Sequence, residues 1–446
     1  MIATTSAVVV AAPLSVEVKE TEAAFDKLRP DWDRLFLADG RSIFQSFEWQ
    51  RAWWKHFGEG NANMELSIAV VRAAADARHP EGRIVAVAPL FIERLKAFGV
   101  VEVRRLAFLG RQISDYLDVI ADPEHRAAVA EALAHHLSES SGAWDVCVLE
   151  DMTERSPTAA ALYEALGTLG VGRVLFTNER CPRALLKRSW DETLASFKAE
   201  HRREIKRRRR NFEKHCGFEL EIAGDARSID ADIDQFIAMH QEHWTGSGHR
   251  GALADGSLQR FHRDVARDLA ARGWTFLAFL RVHGRRIAVV YGFRFNNELS
   301  IYLSGTHNTG DLRQLSPGRV LTSLVMEHAS AASISAYDFM RGTEQYKYEL
   351  GGVDVANHTL IVQGTRSFFS SDKHRAALLS EALGRRFDHE RVLWSHATSG
   401  AGLLSVPSAL HLQERAAVIW RDGLRKLRHP ERSLTAETTA VVPRPA

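Results

Sequence analysis

Apolar and polar positions along the chain fall into two segments that repeat one order of elements. In the first, the apolar run "ELSIAVVR" (65–72) reaches a turn at 81–83 and continues as "IVAVAPLFIE" (84–93) and "VRRLAFLG" (103–110). In the second, "WTFLAFLRV" (274–282) turns at 283–286 and continues as "IAVVYGFRF" (287–295) and "ELSIYLSGT" (298–306). Each reads as a short antiparallel meander. An alanine-rich helical stretch follows in both, at 125–137 and 318–330, and then one more strand, at 143–151 and 336–342. The offsets between Gly82 and Gly284, Leu106 and Ile301, and Trp144 and Tyr337 agree within ten residues, which predicts two α/β units of similar fold in tandem.

Between the copies lies "RSWDETLASFKAEHRREIKRRRRNFEKHCG" (188–217). Ser189 with Glu192 three residues on reads as a capping box, and Gly217 as a stop, so the spacing predicts one helix across the segment. Leu194, Phe197, His201, Ile205 and Phe212 form a narrow apolar stripe, with most of the arginines expected to point away from it. The aromatic cluster Phe44, Phe47, Trp49, Trp53 and Trp54 has helical spacing and is expected in the core rather than on a sugar-stacking platform.

Composition limits what the chain can be. Its 446 residues exceed one ordinary core, and 45% hydrophobic with 26% charged residues is the balance of a globular protein. The 58 Lys and Arg nearly cancel 56 Asp and Glu, so a general nucleic-acid binder is excluded and any basic footprint is local. Seven of those cations lie between Arg202 and Arg210. The three cysteines form no CxxC pair and the 20 histidines have no metal-ligand spacing, so no metal is expected and a reducing cytoplasm fits. No signal peptide and no transmembrane segment is read. The expected organisation is a flexible start (1–14), an N-terminal unit (15–185), a C-terminal unit (186–385) holding the Arg-rich helix 190–215, and a helical appendix with a disordered tail (386–446).

The copies differ most where a site would form. In the second, a polar loop leads to Ser316-Pro317-Gly318-Arg319 and straight into an apolar helix, whose first amides can receive a phosphate with Arg319 adding a charged contact. The first copy has Asp122-Pro123-Glu124 there, which repels an anion, so only the second is expected to hold a donor phosphate.

With "SIFQSFEWQRAWW" (42–54), the Arg-rich helix at 198–214, "MHQEHW" (239–244), "SPGRVL" (316–321) and above all "YDFMRGTEQYKYELG" (337–351), the chain resembles the GNAT acyltransferase superfamily. More narrowly it resembles the CelD-type acetyltransferases associated with cellulose and exopolysaccharide biosynthesis, relatives of the Fem-type aminoacyl transferases. The resemblance spans about residues 30 to 365. It implies an α/β (α+β) fold of tandem GNAT-like domains, each a mixed, largely antiparallel sheet flanked by helices. It also implies acetyl-CoA or another acyl-CoA as co-substrate, an amine or hydroxyl acceptor on a sugar or glycan, and association with envelope-polysaccharide synthesis proteins. The usual GNAT glycine signature is reduced here to Gly318. A Fem-type enzyme using aminoacyl-tRNA, and a degenerate scaffold without catalysis, are the alternatives.

By the resemblance, Tyr346 and Lys347 belong near the acyl-transfer centre, Lys347 neutralising a phosphate or the developing oxyanion and Tyr346 protonating the leaving thiolate. His243 is a candidate base because histidine titrates near neutrality, and Asp338 and Glu344 are its rivals. Arg202, Arg203 and Lys206 of the cation run, with Trp244 and Arg341, are the substrate-binding candidates. For the run itself a solvated helix face and a phosphate-holding role both stand.

Overall fold

A computed structural model describes residues 14–364 apart from 98–100, 247, 249–250 and 308–309. The expected flexible start, save Leu14, and the helical appendix with its tail lie outside the described residues.

Both copies of the predicted unit form, and they share one sheet. Among the described residues it has eleven strands, in the order Glu219–Ala223, Thr275–Val282, Arg285–Phe295, Glu298–Thr306, Ala336–Asp338, Arg173–Leu185, Val353–Gln363, Val146–Thr153, Val101–Phe108, Leu90–Ala97 and Met64–Leu66. In each copy the last strand of the meander pairs in parallel with the strand that follows the helix: Arg105↔Val146 in the first, Glu298↔Ala336 in the second. The remaining pairings are antiparallel. Arg173–Leu185 and Val353–Gln363 knit the halves together, because Val353–Gln363 pairs with both Arg173–Leu185 and Val146–Thr153.

The first meander departs from its expected form. Its runs at 65–72 and 84–93 each break, at Ser67 and at Pro89, so the hairpin passes from one sheet to another. Ile68–Arg72 and Ile84–Ala88 join Ser15–Lys19 and Ile120–Ala121 in a separate four-stranded sheet, while Met64–Leu66 and Leu90–Ala97 stay in the large one. Proline has no amide to give a ladder, which makes residue 89 the natural place to bend.

The predicted inter-copy helix is two helices, Trp190–Ala195 and Ala199–Cys216. Ser189 accepts from the Glu192 amide at 3.2 Å as expected, and Gly217 ends the second helix at φ 60°. The apolar stripe turns inward: Leu194, Phe197, Ile205 and Phe212 are buried. Phe44, Phe47, Trp49, Trp53 and Trp54 are all core residues.

Phe212, with no exposed surface, is the anchor of the arginine helix against the second copy. Phe212→Ala is expected to cost about 3–5 kcal/mol of unfolding free energy in urea, while Arg203→Ala, on the exposed face, stays within about 0.5 kcal/mol.

Candidate functional site

The second copy has an opening in the middle of its sheet. Strand Glu298–Thr306 pairs along its whole length with Arg285–Phe295, but on its other side it pairs with Ala336–Asp338 only over Glu298, Leu299 and Ser300. Residues 301–306 therefore leave one edge unpaired by any described strand, over about 20 Å at the usual rise per residue. Ile301, Tyr302 and Leu303 are half-exposed although they lie in a central strand. The wedge closes at Ser300 and Asp338 and opens towards the loop that leads to helix Pro317–Ala331.

At the open end sits the expected turn. Ser316 is left-handed (φ 56°), its side chain makes no capping bond, and Pro317 opens the helix; the Ser316 carbonyl takes the amides of Arg319 and Val320 at 3.0 and 3.2 Å, which leaves the Gly318 amide as the open donor of the first turn. Gly318 lies beside the strand, since a Cβ there would stand 3.6 Å from the Thr306 methyl. Arg208 of the arginine helix donates to Ser316 Oγ at 2.8 Å. Arg319 turns to Glu349 at 2.8 Å and lies 6.0 Å over the ring of Tyr346. Tyr346 thus faces a cavity of about 30 Å³ between the arginine helix and helix Pro317–Ala331, lined also by His201, Glu204, Arg208, Arg319 and Glu349. The Tyr346 ring also packs on Phe339, next to Asp338, with centroids 6.2 Å apart.

His243 is also at the open end. Its Nδ1 lies 2.7 Å from Thr306 Oγ1, with the Trp244 ring 5.5 Å away. His240, one turn earlier, gives Nδ1 to the Ser304 carbonyl at 2.7 Å. Its burial pulls its pKa down to about 4, so at neutral pH it is an uncharged donor.

Asp338 is at the closed end, almost fully buried. One carboxyl oxygen accepts from the Met340 amide and the other from the phenol of Tyr116, both at 2.8 Å. Burial, followed by the charges of Glu298 and Asp115, outweighs these bonds and pushes its pKa up to about 7. Next to it Arg341 donates from Nε to Asp115 at 2.8 Å, to the Ser114 carbonyl, and at 3.4 Å to Asp151. Cys181 is buried beside them, its thiol held up by burial and by Asp115.

Lys347 is buried and its ammonium faces the carbonyls of Met340, Arg341 and Gly342 at 3.2, 2.6 and 3.2 Å, with Glu344 at 2.9 Å. Its three protons are engaged by the turn that follows Asp338, so in this arrangement the ammonium shapes the loop instead of facing the wedge. Glu344 is the exposed cap residue of the short helix Gln345–Glu349. In the cation run, Arg202 donates to the carbonyls of Ala195 and Phe197, and Arg209 to Ser323 and Glu327 while lying 4.8 Å over Trp190. Arg203 and Lys206 face solvent. The sequence-chosen residues therefore fall apart: Asp338, Arg341 and Lys347 at the closed end; Ser316–Arg319 and His243 at the open end; Tyr346 between Arg319 and Phe339; Arg203 and Lys206 on the outer surface.

Two contributors were not singled out from sequence. Arg208 was legible, because it stands three residues after Ile205 and four before Phe212, on the inward side of the helix. Tyr116 was not, because it arrives from the first copy and nothing in "RQISDYLD" marks a residue 222 positions from its partner.

The raised Asp338 sets a stability signature. The native state holds this proton more tightly than the unfolded chain, so its contribution is present below pH 4 and is lost as pH rises to about 7. Asp338→Asn removes the titration. Its stability relative to the parent is expected to climb by up to about 4 kcal/mol between pH 4 and 8. A flat difference in melting temperature across that window would contradict the buried, proton-holding carboxyl.

Residues 199–348, which carry the arginine helix, the wedge and its carboxyl, match the family model of an acetyltransferase (GNAT) domain. No curated protein matches the chain. Among solved structures, FemX is similar at 10% identity over 74% of this chain and 95% of its own, with a TM-score of 0.51. L-PGS from Bacillus licheniformis shows 12% identity over 79% of this chain and 96% of its own, TM-score 0.47. A tandem GNAT protein from the clavulanic acid biosynthesis pathway shows 12% identity over 78% and 98%, TM-score 0.41. At these identities the likeness to FemX is one of fold. Among the described residues no helix is long and apolar enough to cross a membrane. The fold is thus mixed α/β, two copies of one unit joined in a shared, mostly antiparallel sheet flanked by helices, and residues 199–348 of it match a GNAT acetyltransferase domain.

Proposed function

We propose that the protein is an acyltransferase that moves an acetyl or similar acyl group from acyl-CoA to an amine or hydroxyl, on a sugar or envelope-polysaccharide precursor as the CelD-type resemblance implies. The observation that carries this reading is the wedge whose free strand edge runs from a buried carboxyl to an uncapped helix N-terminus. The donor pyrophosphate rests on the Gly318 amide at the start of the helix, with Arg208 beside Ser316 and Arg319 within reach of the same turn. An extended thioester arm follows residues 306 to 301, and an amide of that unpaired edge polarises its carbonyl.

This orientation sorts the three candidate bases. The acyl carbon comes to the closed end, where Asp338 holds a pKa near that of neutral solution, the value a general base needs. His243, beside Thr306 and Gly318, meets the donor instead. Glu344 is bound to Lys347. Lys347 and Arg341 hold the loop that presents Asp338. Attack is direct: the acceptor lone pair forms the new bond to the acyl carbon, the C–S bond breaks, and no enzyme-bound acyl intermediate is needed.

A second reading has one observation in its favour. Arg203, Lys206, Arg210 and Lys214 form a solvent-facing row on the arginine helix, a surface on which the tRNA of a Fem-type aminoacyl transfer could lie. Melting temperature with acetyl-CoA, CoA or bulk tRNA at fixed moderate salt separates the readings. A ligand at about 100 times its Kd adds roughly 2.7 kcal/mol. Acetyl-CoA is expected to raise the melting temperature and tRNA to leave it unchanged; the reverse would install the aminoacyl reading, and no shift from any of them the scaffold. Gly318 has no strained backbone angle and room for a Cβ, so Gly318→Glu should fold normally and abolish the acetyl-CoA shift. Donor affinity retained in that variant would remove the phosphate from this turn.

A further inference from the structure

The first copy has a loop, residues 110–118, directly after strand Val101–Phe108. It occupies the place that the loop before Pro317 has in the second copy. Instead of serving a site of its own, it crosses to the second copy. The Tyr302 phenol donates to the Ile113 carbonyl at 2.7 Å. Arg341 binds the Ser114 carbonyl and Asp115, and the Tyr116 phenol reaches Asp338. On its other side the loop is pinned by Trp49, whose indole donates to Ser114 Oγ at 2.8 Å, and by that hydroxyl's bond to the Gly110 carbonyl.

Tyr116 itself is left-handed, at φ 56°, and so is Met340 across from it, at φ 57°. A non-glycine residue in that region is strained and persists only where its surroundings hold it. Both residues bond one carboxyl, Met340 through its amide and Tyr116 through its phenol. Of the hydrogen-bonded pair, Tyr116 is 8% exposed and Asp338 1%, and the loop that carries Tyr116 also touches the free strand edge through the bond from the Tyr302 phenol to the Ile113 carbonyl.

Resting on the acyl-transfer reading above, we propose that Tyr116, supplied by the first copy, is the residue through which the acceptor gives up its proton to Asp338. The acceptor N–H or O–H proton passes to the Tyr116 oxygen as the phenolic proton passes to the Asp338 carboxylate. The acceptor electron pair forms the bond to the acyl carbon, the C–S pair leaves on the thiolate, and the thiolate takes a proton from water, to which Asp338 later returns its own. The first copy is then part of the catalytic site, and its lost donor turn is explained: the equivalent loop was committed elsewhere. The groups that face the pair are Asp115, Glu298, Cys181, Arg155 and Arg341, of which the two carboxylates favour the protonated form and the two arginines oppose it.

The test uses the full chain and acetyl-CoA, with water as the acceptor and thiol release as the readout from pH 5 to 9. Tyr116→Phe keeps the ring and loses only the hydroxyl. It is expected to retain the acetyl-CoA melting shift, to lose at least tenfold in thioester turnover, and to move the acid limb of the pH profile. Asp338→Asn should lose as much, and the double variant no more than either single one, because the two groups act as a unit. Turnover and pH profile unchanged in Tyr116→Phe, or losses that multiply in the double variant, would overturn the relay while leaving the donor site standing. Absence of any acetyl-CoA shift in the parent would instead take down the acyl-CoA reading and the relay with it.

Discussion

The parallel pairing of Glu298–Ser300 with Ala336–Asp338 lasts three residues, and the rest of the site depends on its stopping there. The chain after Asp338 is held away from the neighbouring strand by several bonds at once. The Phe339 amide goes to the Pro182 carbonyl, and the Met340 amide turns back to the Asp338 carboxyl. The carbonyls of residues 340–342 gather around the Lys347 ammonium. A buried ammonium is expensive unless its donors are matched, and three carbonyls with one carboxylate match them. The wedge is thus maintained by the strand that leaves it. That is why the motif "YDFMRGTEQYK" is dense in polar residues although much of it is buried.

The two copies show what the same scaffold does when its wedge is filled. In the first, Arg105–Ala107 pairs with Val146–Val148, and beyond that point Arg111 binds Glu150 with both side chains buried. Strand Val146–Thr153 then continues against Val353–Gln363 along its other edge. The parallel pairing is three residues long here too, but strand Val101–Phe108 ends one residue later and leaves no free edge like that of residues 301–306, and Asp122, bonded to Arg83 and to the Glu124 amide, sits where the second copy has Ser316. Duplication followed by closure of one site would leave a purely structural domain. Residues 110–118 instead bond to Tyr302, Arg341 and Asp338 of the other copy, and the shared strands keep the two halves in one register for those contacts.

The tandem pattern was legible because each meander obeys a period and each is followed by a helix and a strand. Local chemistry was legible too: Gly217 and the Ser189 cap lie where spacing puts them, and Asp122-Pro123-Glu124 against Ser316-Pro317-Gly318 marks the copy with the open turn. What the sequence hid was direction. Tyr346 and Lys347 are neighbours in sequence, yet Tyr346 faces Arg319 and Lys347 faces the opposite turn, because a helix separates adjacent side chains by about 100°. The break at Pro89, with Ser67 opposite it, sends one hairpin into two sheets, which alternation alone cannot distinguish from a straight strand. The pairing of Tyr116 with Asp338 is a contact between copies, and no local pattern encodes it.

The arginine helix answers to the same constraint from the opposite side. Its cations divide by helical phase: Arg202, Arg208 and Arg209 are turned into the fold, whereas Arg203, Lys206, Arg210 and Lys214 stay in water. Burial lowers the pKa of Arg209, against the pull of Glu327, and the side chain is retained there stacked on Trp190 and bonded to Ser323. A guanidinium kept at such a cost needs its partners in place, and those partners lie on the helix that begins at Pro317. Arg208, one residue before, is bonded to the Ser316 hydroxyl before any ligand arrives. The inward cations therefore fix the helix whose N-terminus an anion would meet, and they bring a positive charge to it already oriented, so that little side-chain entropy remains to be lost on binding. A run that looks like a nucleic-acid patch in sequence is, on its inner face, the support of the helix that begins at Pro317.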